Sequence, residues 1–112
     1  MKVAVVGSRN FVNYELLSDK LKFLTGTDTI VSGGAKGADS LAARYAAEND
    51  VNLKMFPAEW EKYGRSAGYK RNVQIVDESD SVIAFWDGKS KGTEHSINIA
   101  KKQRKHVLIH FI

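Results

Sequence analysis

Short apolar runs alternate with helical periods along the whole chain, and this alternation restricts the fold more than any other feature of the sequence. The apolar runs, which we predict to be strands, are Lys2–Val6, Thr29–Ser32, Val51–Phe56, Ser81–Trp86 and Val107–Ile112. Within a run such as Val82-Ile83-Ala84-Phe85-Trp86, apolar and polar residues do not alternate. That pattern is typical of parallel strands covered on both faces.

Helical periods fill the gaps between these strands. Their inward faces are predicted to be Tyr14, Leu17, Leu21 and Leu24; then Ala38, Leu41, Ala42, Tyr45 and Ala46; then Val73 and Val76 within 67–78; and finally Ile97 and Ala100 within 93–102. Strict alternation predicts right-handed crossovers and a parallel sheet between helix layers. We therefore predict an α/β fold, a three-layer sandwich of a five-stranded parallel sheet with helices on both faces.

Length and composition narrow the protein class further. A chain of 112 residues has the length of one domain, predicted over 1–112. The chain contains no cysteine, which excludes disulfides, thiol nucleophiles and thiolate metal sites and fits a reducing compartment. No apolar run approaches the roughly 18 residues of a membrane span, and Gly7 interrupts the first run too early for a signal peptide. We expect a soluble, cytoplasmic protein.

Six of the nine glycines fall in three loops that follow predicted strands. They are Gly7; Gly33, Gly34 and Gly37; and Gly88 and Gly92. In a parallel sheet these loops meet at the carboxyl edge, where ligands bind. Glycine lets the backbone approach an anion that helix N-termini attract, and the same loops carry Ser8, Arg9, Lys36, Ser90, Lys91 and Thr93. The pattern predicts a surface for the phosphate of a nucleotide or a phosphosugar.

Two familiar nucleotide motifs do not match this chain. A Walker A loop ending at Gly88-Lys89-Ser90 would need a glycine where Ile83 stands. A dinucleotide fingerprint around Gly33-Gly34 would need a glycine at Ser32. Neither motif therefore predicts a hydride-transfer enzyme, and no cofactor is predicted.

The segment 57–72, between the third strand and the third helix, is long for this fold. It carries Trp60, Tyr63 and Tyr69, which suit stacking on a base, and Arg65, Lys70 and Arg71, which suit phosphate. The alternative is an aromatic lid with solvated charges, or a subunit interface. A lid over the glycine loops satisfies both interpretations.

The histidines and the net charge carry weaker signals. His106 and His110 would lie about 13 Å apart along a strand, too far to share a metal, and we predict no metal site. His95 lies beside Glu94 at a helix start, where it either touches a ligand or is a bystander. The net charge of +4 mildly favours phosphate-bearing partners, and the basic run 101–106 is predicted to be a solvated helix end rather than a nucleic-acid patch.

Four ordered motifs resemble the small stand-alone YspA or cpYpsA-related branch of the SLOG (SMF/DprA–LOG) superfamily. They are Val5-Val6-Gly7-Ser8-Arg9-x-Phe11, Ile30-Val31-Ser32-Gly33-Gly34-Ala35-x-Gly37-Ala38-Asp39, Gly64-Arg65-x-Ala67-Gly68-x-x-Arg71-Asn72, and Ala84-Phe85-Trp86-Asp87-Gly88-x-Ser90-x-Gly92-Thr93. The resemblance implies a Rossmann-like sheet, with a nucleotide-derived ligand held by the loops after the second and fourth strands. It also implies a homo-oligomer, to which an apolar edge strand over 107–112 could contribute by pairing across subunits.

The resemblance also implies candidate catalytic residues. In the LOG enzymes, which release a base from a nucleoside monophosphate, the last motif reads Pro-Gly-Gly-x-Gly-Thr-x-x-Glu, and its glutamate is catalytic together with an arginine upstream of the motif. Arg71 matches the arginine by its context, whereas Ser96 occupies the glutamate position and Asp87-Gly88-Lys89-Ser90-Lys91 replaces the opening of the motif. Glu94, one residue after Thr93, is the alternative carboxylate.

Three functions follow, and binding of a nucleotide or nucleotide-derived ligand, as a sensor or binding protein, leads. The predicted ligand-binding residues are Gly7, Ser8, Arg9, Ser32, Gly33, Gly34, Lys36, Gly37, Asp39, Asn72, Trp86, Asp87, Gly88, Ser90, Gly92 and Thr93. Asp39 or Asp87 would accept a ribose hydroxyl. The first alternative is an N-glycosidase (phosphoribohydrolase) acting on a nucleoside monophosphate, with Arg71 and Glu94 or Asp87. The second is single-stranded nucleic-acid binding.

Overall fold

A computed structural model describes residues 1–112, and it contains the five predicted strands. Their bounds are β1 Lys2–Gly7, β2 Thr29–Ser32, β3 Asn52–Met55, β4 Ser81–Trp86 and β5 His106–Phe111. All pairings are parallel, and the strand order is β3-β2-β1-β4-β5. The order reverses between β1 and β4, where Val5 pairs with Ile83. This reversal is the switch point at which such sheets bind ligands.

Five α-helices and one short 3₁₀ turn connect the strands. They are α1 Tyr14–Leu21, α2 Ala38–Glu48, α3 Trp60–Tyr63, the 3₁₀ turn Gly64–Ser66, α4 Ala67–Glu78 and α5 Lys91–Lys102. Four of the helices match the predicted periods. Helix α3 and the 3₁₀ turn lie in the long segment that the sequence marked as a lid. Asn13 caps α1 by accepting from the Leu16 N–H at 3.1 Å, and Ser90 caps α5.

The two faces of the sheet pack separate hydrophobic cores. On one face, α1 and α2 pack Leu17, Leu21 and Ala42 against Val5 and Phe85. On the other face lie Ile75 and Val76 of α4 and Ile97 of α5, against Ala4 and Ala84. The side chains of β1 and β4 alternate between these cores, which explains their continuous apolar sequence. The predicted three-layer, Rossmann-like α/β fold is confirmed.

One detail of the core prediction is wrong. Val73 was expected to face inward, but its side chain is 39% exposed. The buried stripe of α4 runs instead through Asn72, Ile75 and Val76, at the i, i+3 and i+4 spacing of one helix face. Strand β3 is exposed along its whole length and forms one edge of the sheet.

None of the helices combines the length and the apolar character that a bilayer crossing requires. The chain's C-terminal strand, β5, forms the second edge of the sheet, as the sequence suggested. It leaves Leu108 and Phe111 exposed and contains no lysine, arginine, aspartate or glutamate.

Candidate functional site

A cavity of about 480 Å³ opens at the carboxyl ends of β1 and β4, the switch point of the sheet. Its walls come from the β1–α1 and β4–α5 loops, from α4 and from the segment before α4. The lining residues that carry polar or charged side chains are Ser8, Arg9, Asn10, Asp39, Arg65, Arg71, Asn72, Asp87, Ser90, Thr93 and Ser96, with the aromatics Trp60 and Tyr69.

A groove of about 390 Å³ adjoins the cavity on the side of β2. The Gly33-Gly34-Ala35-Lys36 stretch forms one wall, and Pro57 and Ala58 form another. Four residues line both the cavity and the groove: Arg9, Ala35, Trp60 and Arg71. The two spaces therefore meet at a junction that carries two guanidinium groups and one indole.

Ser8 ties together the three elements that surround the cavity. Its N–H donates to the carbonyl of Phe85 at 3.0 Å, and its own carbonyl accepts from the Ala38 N–H at 3.3 Å. Its hydroxyl accepts from the Asp87 N–H at 3.3 Å. The side chain is fully buried, so these bonds set the distance between the loops after β1 and β4 and the start of α2.

The close approach of two loops explains the glycine at position 37. Gly37 has φ +77° and ψ −127°, a combination that side-chain-bearing residues rarely adopt. A Cβ there would stand 2.5 Å from the carbonyl oxygen of Arg9 and closer still to that of Ser8. The glycine thus lets the β1–α1 loop lie directly on the N-terminus of α2.

The loop after β4 is held by Asp87. One oxygen of its carboxylate accepts from the N–H groups of Lys89 and Ser90, each at 2.8 Å. Those two bonds hold the pKa of Asp87 below its usual range, and the bond from Lys89 has the larger effect. The loop then enters α5, whose Ser90 cap satisfies the Thr93 N–H. The N–H groups of Lys91 and Gly92 have no partner in the chain, and Gly92 lines the cavity.

Arg71 and Asp39 are the two ionisable groups most withdrawn from water at the site. Arg71, on α4, donates from Nη1 to the Gly33 carbonyl at 2.9 Å, which leaves its Nε–H without a partner. Burial lowers its pKa, with the nearby Arg9 acting in the same direction. Burial raises the pKa of Asp39, although the Ala35 N–H at 3.1 Å and the charge of Arg71 oppose the rise. The junction is therefore cationic, and Asp39 is the acid that lies closest to it.

A second polar group lies deeper in the cavity, between α4 and α5. The buried Asn72 side-chain amide lies 3.2 Å from both the Gly92 carbonyl and His95 Nδ1. The edge of the His95 ring meets Tyr69 at a centroid distance of 4.6 Å, and burial lowers the pKa of the imidazole. Ser96, also buried, donates to the Gly92 carbonyl at 3.3 Å.

Sequence comparison identifies a family and a relative of this chain. A model of the YspA, cpYpsA-related SLOG family matches residues 1–63. The chain is also 33% identical, over 111 residues, to the Gene 61 protein of Mycobacterium phage D29, covering 90% of this chain and 89% of that protein. The chain belongs to the YspA, cpYpsA-related SLOG family.

Two solved structures of DNA processing protein A (DprA) share the fold of this SLOG chain. The Streptococcus pneumoniae protein superposes with a TM-score of 0.80 at 21% identity, covering 96% of this chain and 49% of that one. The Helicobacter pylori protein superposes with a TM-score of 0.66 at 23% identity, covering 97% of this chain and 64% of that one. The SLOG chain thus spans half to two thirds of the length of these proteins.

Most of the predicted site residues come together in the SLOG fold. The cavity is lined by Gly7, Ser8, Arg9, Asp39, Arg71, Asn72, Asp87, Ser90, Gly92 and Thr93, and the groove by Gly33, Gly34 and Lys36. Five predicted residues line neither space: Ser32, Gly37, Trp86, Gly88 and Glu94. Trp86 donates from its indole to the Ser90 carbonyl at 3.1 Å and packs against Phe111. Glu94 lies in the first turn of α5, outside the cavity wall.

Several lining residues were missing from the sequence prediction. Asn10 and Ala35 lie in the predicted loops beside residues that were named. Ser96 could have been found from helix geometry, since it lies one turn after Gly92 on the same face of α5. It occupies the position of the LOG glutamate, so a short hydroxyl faces the cavity where those enzymes have a carboxylate.

The segment 57–72 forms one side of the cavity, as the lid interpretation predicted. Trp60 and Arg65 line the cavity from α3 and the 3₁₀ turn, and Tyr69 lines it from α4. Tyr63 points elsewhere: Lys62 and Lys70 lie over its ring at 5.1 and 4.8 Å from the centroid. No three histidine, aspartate or glutamate side chains in the chain lie close enough to hold a metal ion.

The pKa shifts of Asp39 and Asp87 have opposite signs, so substitutions at the two positions should have opposite effects on stability at pH 7. Because the folded-state pKa of Asp39 is raised, its contribution to stability is present at low pH and lost as pH rises through that pKa. Asp39→Asn should therefore melt at a higher temperature than the wild type at pH 7, and the difference should shrink towards pH 3. Thermal melts across this range measure it.

Asp87→Asn provides the opposite case within the same cavity. The pKa of Asp87 is lowered, so its contribution is present above the ordinary aspartate pKa and lost as pH falls through the folded-state value. The variant should melt below the wild type at pH 7 and approach it at low pH. If both variants shifted the melting temperature in the same direction at pH 7, the proposed causes of the two pKa shifts would be wrong: burial for Asp39 and the backbone N–H bonds for Asp87.

Proposed function

We propose that this SLOG chain binds a nucleotide or a nucleotide-derived ligand in the switch-point cavity, as a sensor or binding protein. The observation that carries the proposal is the convergence of Arg9, Arg65 and Arg71 on one cavity. The cavity volume of about 480 Å³ lies within the range of small-molecule sites.

The phosphate end of the ligand has two sources of hydrogen-bond donors. The guanidinium groups of Arg9 and Arg71 offer planar donor pairs that match phosphate oxygens. The N-terminus of α5 adds the unpartnered N–H groups of Lys91 and Gly92, together with the positive end of the helix dipole. We propose that the phosphate lies between these donors, with Asp39 or Asp87 accepting a ribose hydroxyl.

Calorimetry tests the proposal directly. The purified chain is titrated with nucleoside monophosphates, dinucleotides, cyclic nucleotides and ribose 5-phosphate at low salt. We expect at least one of these to bind with a Kd below about 1 mM. If none of them does, the proposed function is wrong.

Single-stranded nucleic-acid binding is the second candidate. The related fold in Helicobacter pylori DprA belongs to a protein described by its single-stranded DNA binding mode. The exposed cations Arg9 and Arg65 line the cavity, and the exposed Lys36 lines the adjoining groove. Trp60 and Tyr69 are exposed aromatics on the cavity wall. Such a combination suits a strand whose backbone tracks cations while its bases stack.

Salt dependence separates the two candidates. Strand binding releases condensed counterions and should weaken steeply as salt rises, whereas a mononucleotide held in the cavity should respond less. A labelled oligonucleotide is titrated by fluorescence anisotropy at several salt concentrations, beside the best mononucleotide from calorimetry. A steep slope for the oligonucleotide, without mononucleotide binding, would favour the strand.

The acids of the site give the N-glycosidase alternative less support. Glu94 lies outside the cavity wall, and Asp87 already accepts two backbone N–H groups. We therefore expect incubation with nucleoside monophosphates to release no free base, as measured by chromatography. Released base that disappears in Asp87→Asn would restore the enzymatic alternative.

We also propose that the chain forms a homo-oligomer through the edge strand β5. Its exposed apolar residues Leu108 and Phe111 would be covered by strand pairing. Native mass spectrometry tests this: a multiple of the single-chain mass is expected, and the single-chain mass alone would contradict the proposal.

A further inference from the structure

Trp60 is an exposed aromatic side chain at the junction of the cavity and the groove. It begins α3, its side chain is 53% exposed, and it lines both spaces. Its indole N–H donates to no group in the chain, unlike that of the chain's other tryptophan, Trp86, which donates to Ser90. About half of the surface of Trp60 is therefore accessible, at a position that borders both spaces.

The neighbouring backbone leaves room for this ring. Gly68, in the first turn of α4, also lines the cavity, and a Cβ there would stand 3.4 Å from Cη2 of Trp60. Gly68 has no positive φ, so its own backbone conformation does not require glycine. The indole therefore lies within contact distance of the first turn of α4, on the wall of the cavity.

The same junction carries the charges proposed for the phosphate. Arg9 and Arg71 line both spaces, as Trp60 does. A molecule whose anionic group lies at the guanidinium groups thus has an aromatic surface within its own length. A nucleobase suits that surface because every base offers a π-face, whereas a phosphosugar without a base leaves it uncovered.

We infer that Trp60 is the platform on which the base of the ligand stacks, so that the site selects nucleotides over phosphosugars. This inference rests on the proposed function and deepens it, because it assigns the aromatic part of the ligand to one residue. Trp60 sets specificity, and the arginines supply affinity for the phosphate.

Calorimetry on the full chain tests the inference with two probes, adenosine 5′-monophosphate and ribose 5-phosphate. Trp60→Ala should weaken binding of the nucleotide roughly tenfold, the loss typical of one base–aromatic stack. Binding of ribose 5-phosphate should change less than about twofold, since it makes no stack. Trp60→Phe keeps an aromatic face and should retain most of the nucleotide affinity.

Fluorescence gives a second readout on the unmodified chain. Stacking of a base on Trp60 should change the tryptophan emission when the nucleotide is added, whereas ribose 5-phosphate should leave it unchanged. In Trp60→Phe the remaining signal comes from Trp86, and the nucleotide-dependent change should disappear while calorimetry still shows binding.

Tyr63→Ala is the matched control, because Tyr63 belongs to the same short helix but lines neither space. It should bind both probes as the wild type does. Equal weakening of both probes in Trp60→Ala, or no weakening of either, would overturn the inference and leave the proposed function standing. Failure of both probes to bind the wild type would overturn the inference, and the proposed function falls only if the rest of the nucleotide panel also fails.

Discussion

Arg71→Ala is expected to weaken nucleotide binding at least about thirtyfold, the loss typical of removing one partner of a desolvated, hydrogen-bonded charge pair. Arg71 lines both the cavity and the groove, and its Nε–H has no partner in the chain. A bound phosphate would satisfy that donor in a partly desolvated place, where a charged hydrogen bond is strong. Calorimetry with the best ligand of the wild type measures the loss.

Two further variants separate binding from folding. Arg71→Gln keeps a polar side chain with amide donors on α4 but loses the charge, and its affinity should fall nearly as far as that of Arg71→Ala. Lys70→Ala removes the adjacent cation of α4, which lies over Tyr63 outside the cavity, and should leave mononucleotide affinity within about twofold, as expected of a surface charge. Unchanged binding in both Arg71 variants would remove Arg71 from the proposed site.

The sequence predicted the fold well because its evidence was local and repeated. The apolar runs of β1 and β4 lack polar alternation, and the structure shows why: both strands lie inside the sheet between two cores. The run at 51–56 differs, because Asn52 and Lys54 alternate with apolar residues there, and β3 lies exposed at an edge of the sheet. The order of the strands was not visible in the sequence, because it depends on tertiary packing rather than on each strand's own residues.

The sequence indicated which loops surround the cavity, but not which of their side chains line it. Glycine placement located the carboxyl edge, since strand ends and helix starts are visible in sequence. The sequence does not show which way each side chain in a loop points. Trp86 contacts Ser90 and Phe111 instead of the cavity, and Glu94 lies outside the cavity wall. Ser96, by contrast, lies on the cavity wall one helical turn after Gly92, a placement that helix periodicity could have indicated.

Gly37 has a structural role that the sequence did not suggest. Gly37 was predicted to contact phosphate, but it lines neither the cavity nor the groove. The carbonyls of Ser8 and Arg9 already occupy the space around it. The structure shows that it lets two loops meet, and this contact helps to set the shape of the cavity.

Gly37→Ala is accordingly expected to destabilise the fold by about 3–5 kcal/mol, the sum of a strained backbone conformation and an overpacked contact. The new Cβ would require the β1–α1 loop to move, which would also break the bond from the Ala38 N–H to the Ser8 carbonyl. A loss of this size is a large part of the stability of a domain of this length. Urea or thermal unfolding of the variant measures it.

Gly88→Ala is the matched control, because Gly88 shares the positive φ, +79°, but has nothing within 4 Å of its would-be Cβ. That variant carries the backbone strain alone and should lose about 1 kcal/mol. The difference between the two variants isolates the contact of the β1–α1 loop with the N-terminus of α2. Equal losses would show that strain alone accounts for the glycine, and that the loop adapts to the extra carbon. Because the moved loop carries Arg9, a folded Gly37→Ala chain should also bind nucleotide more weakly than Gly88→Ala does.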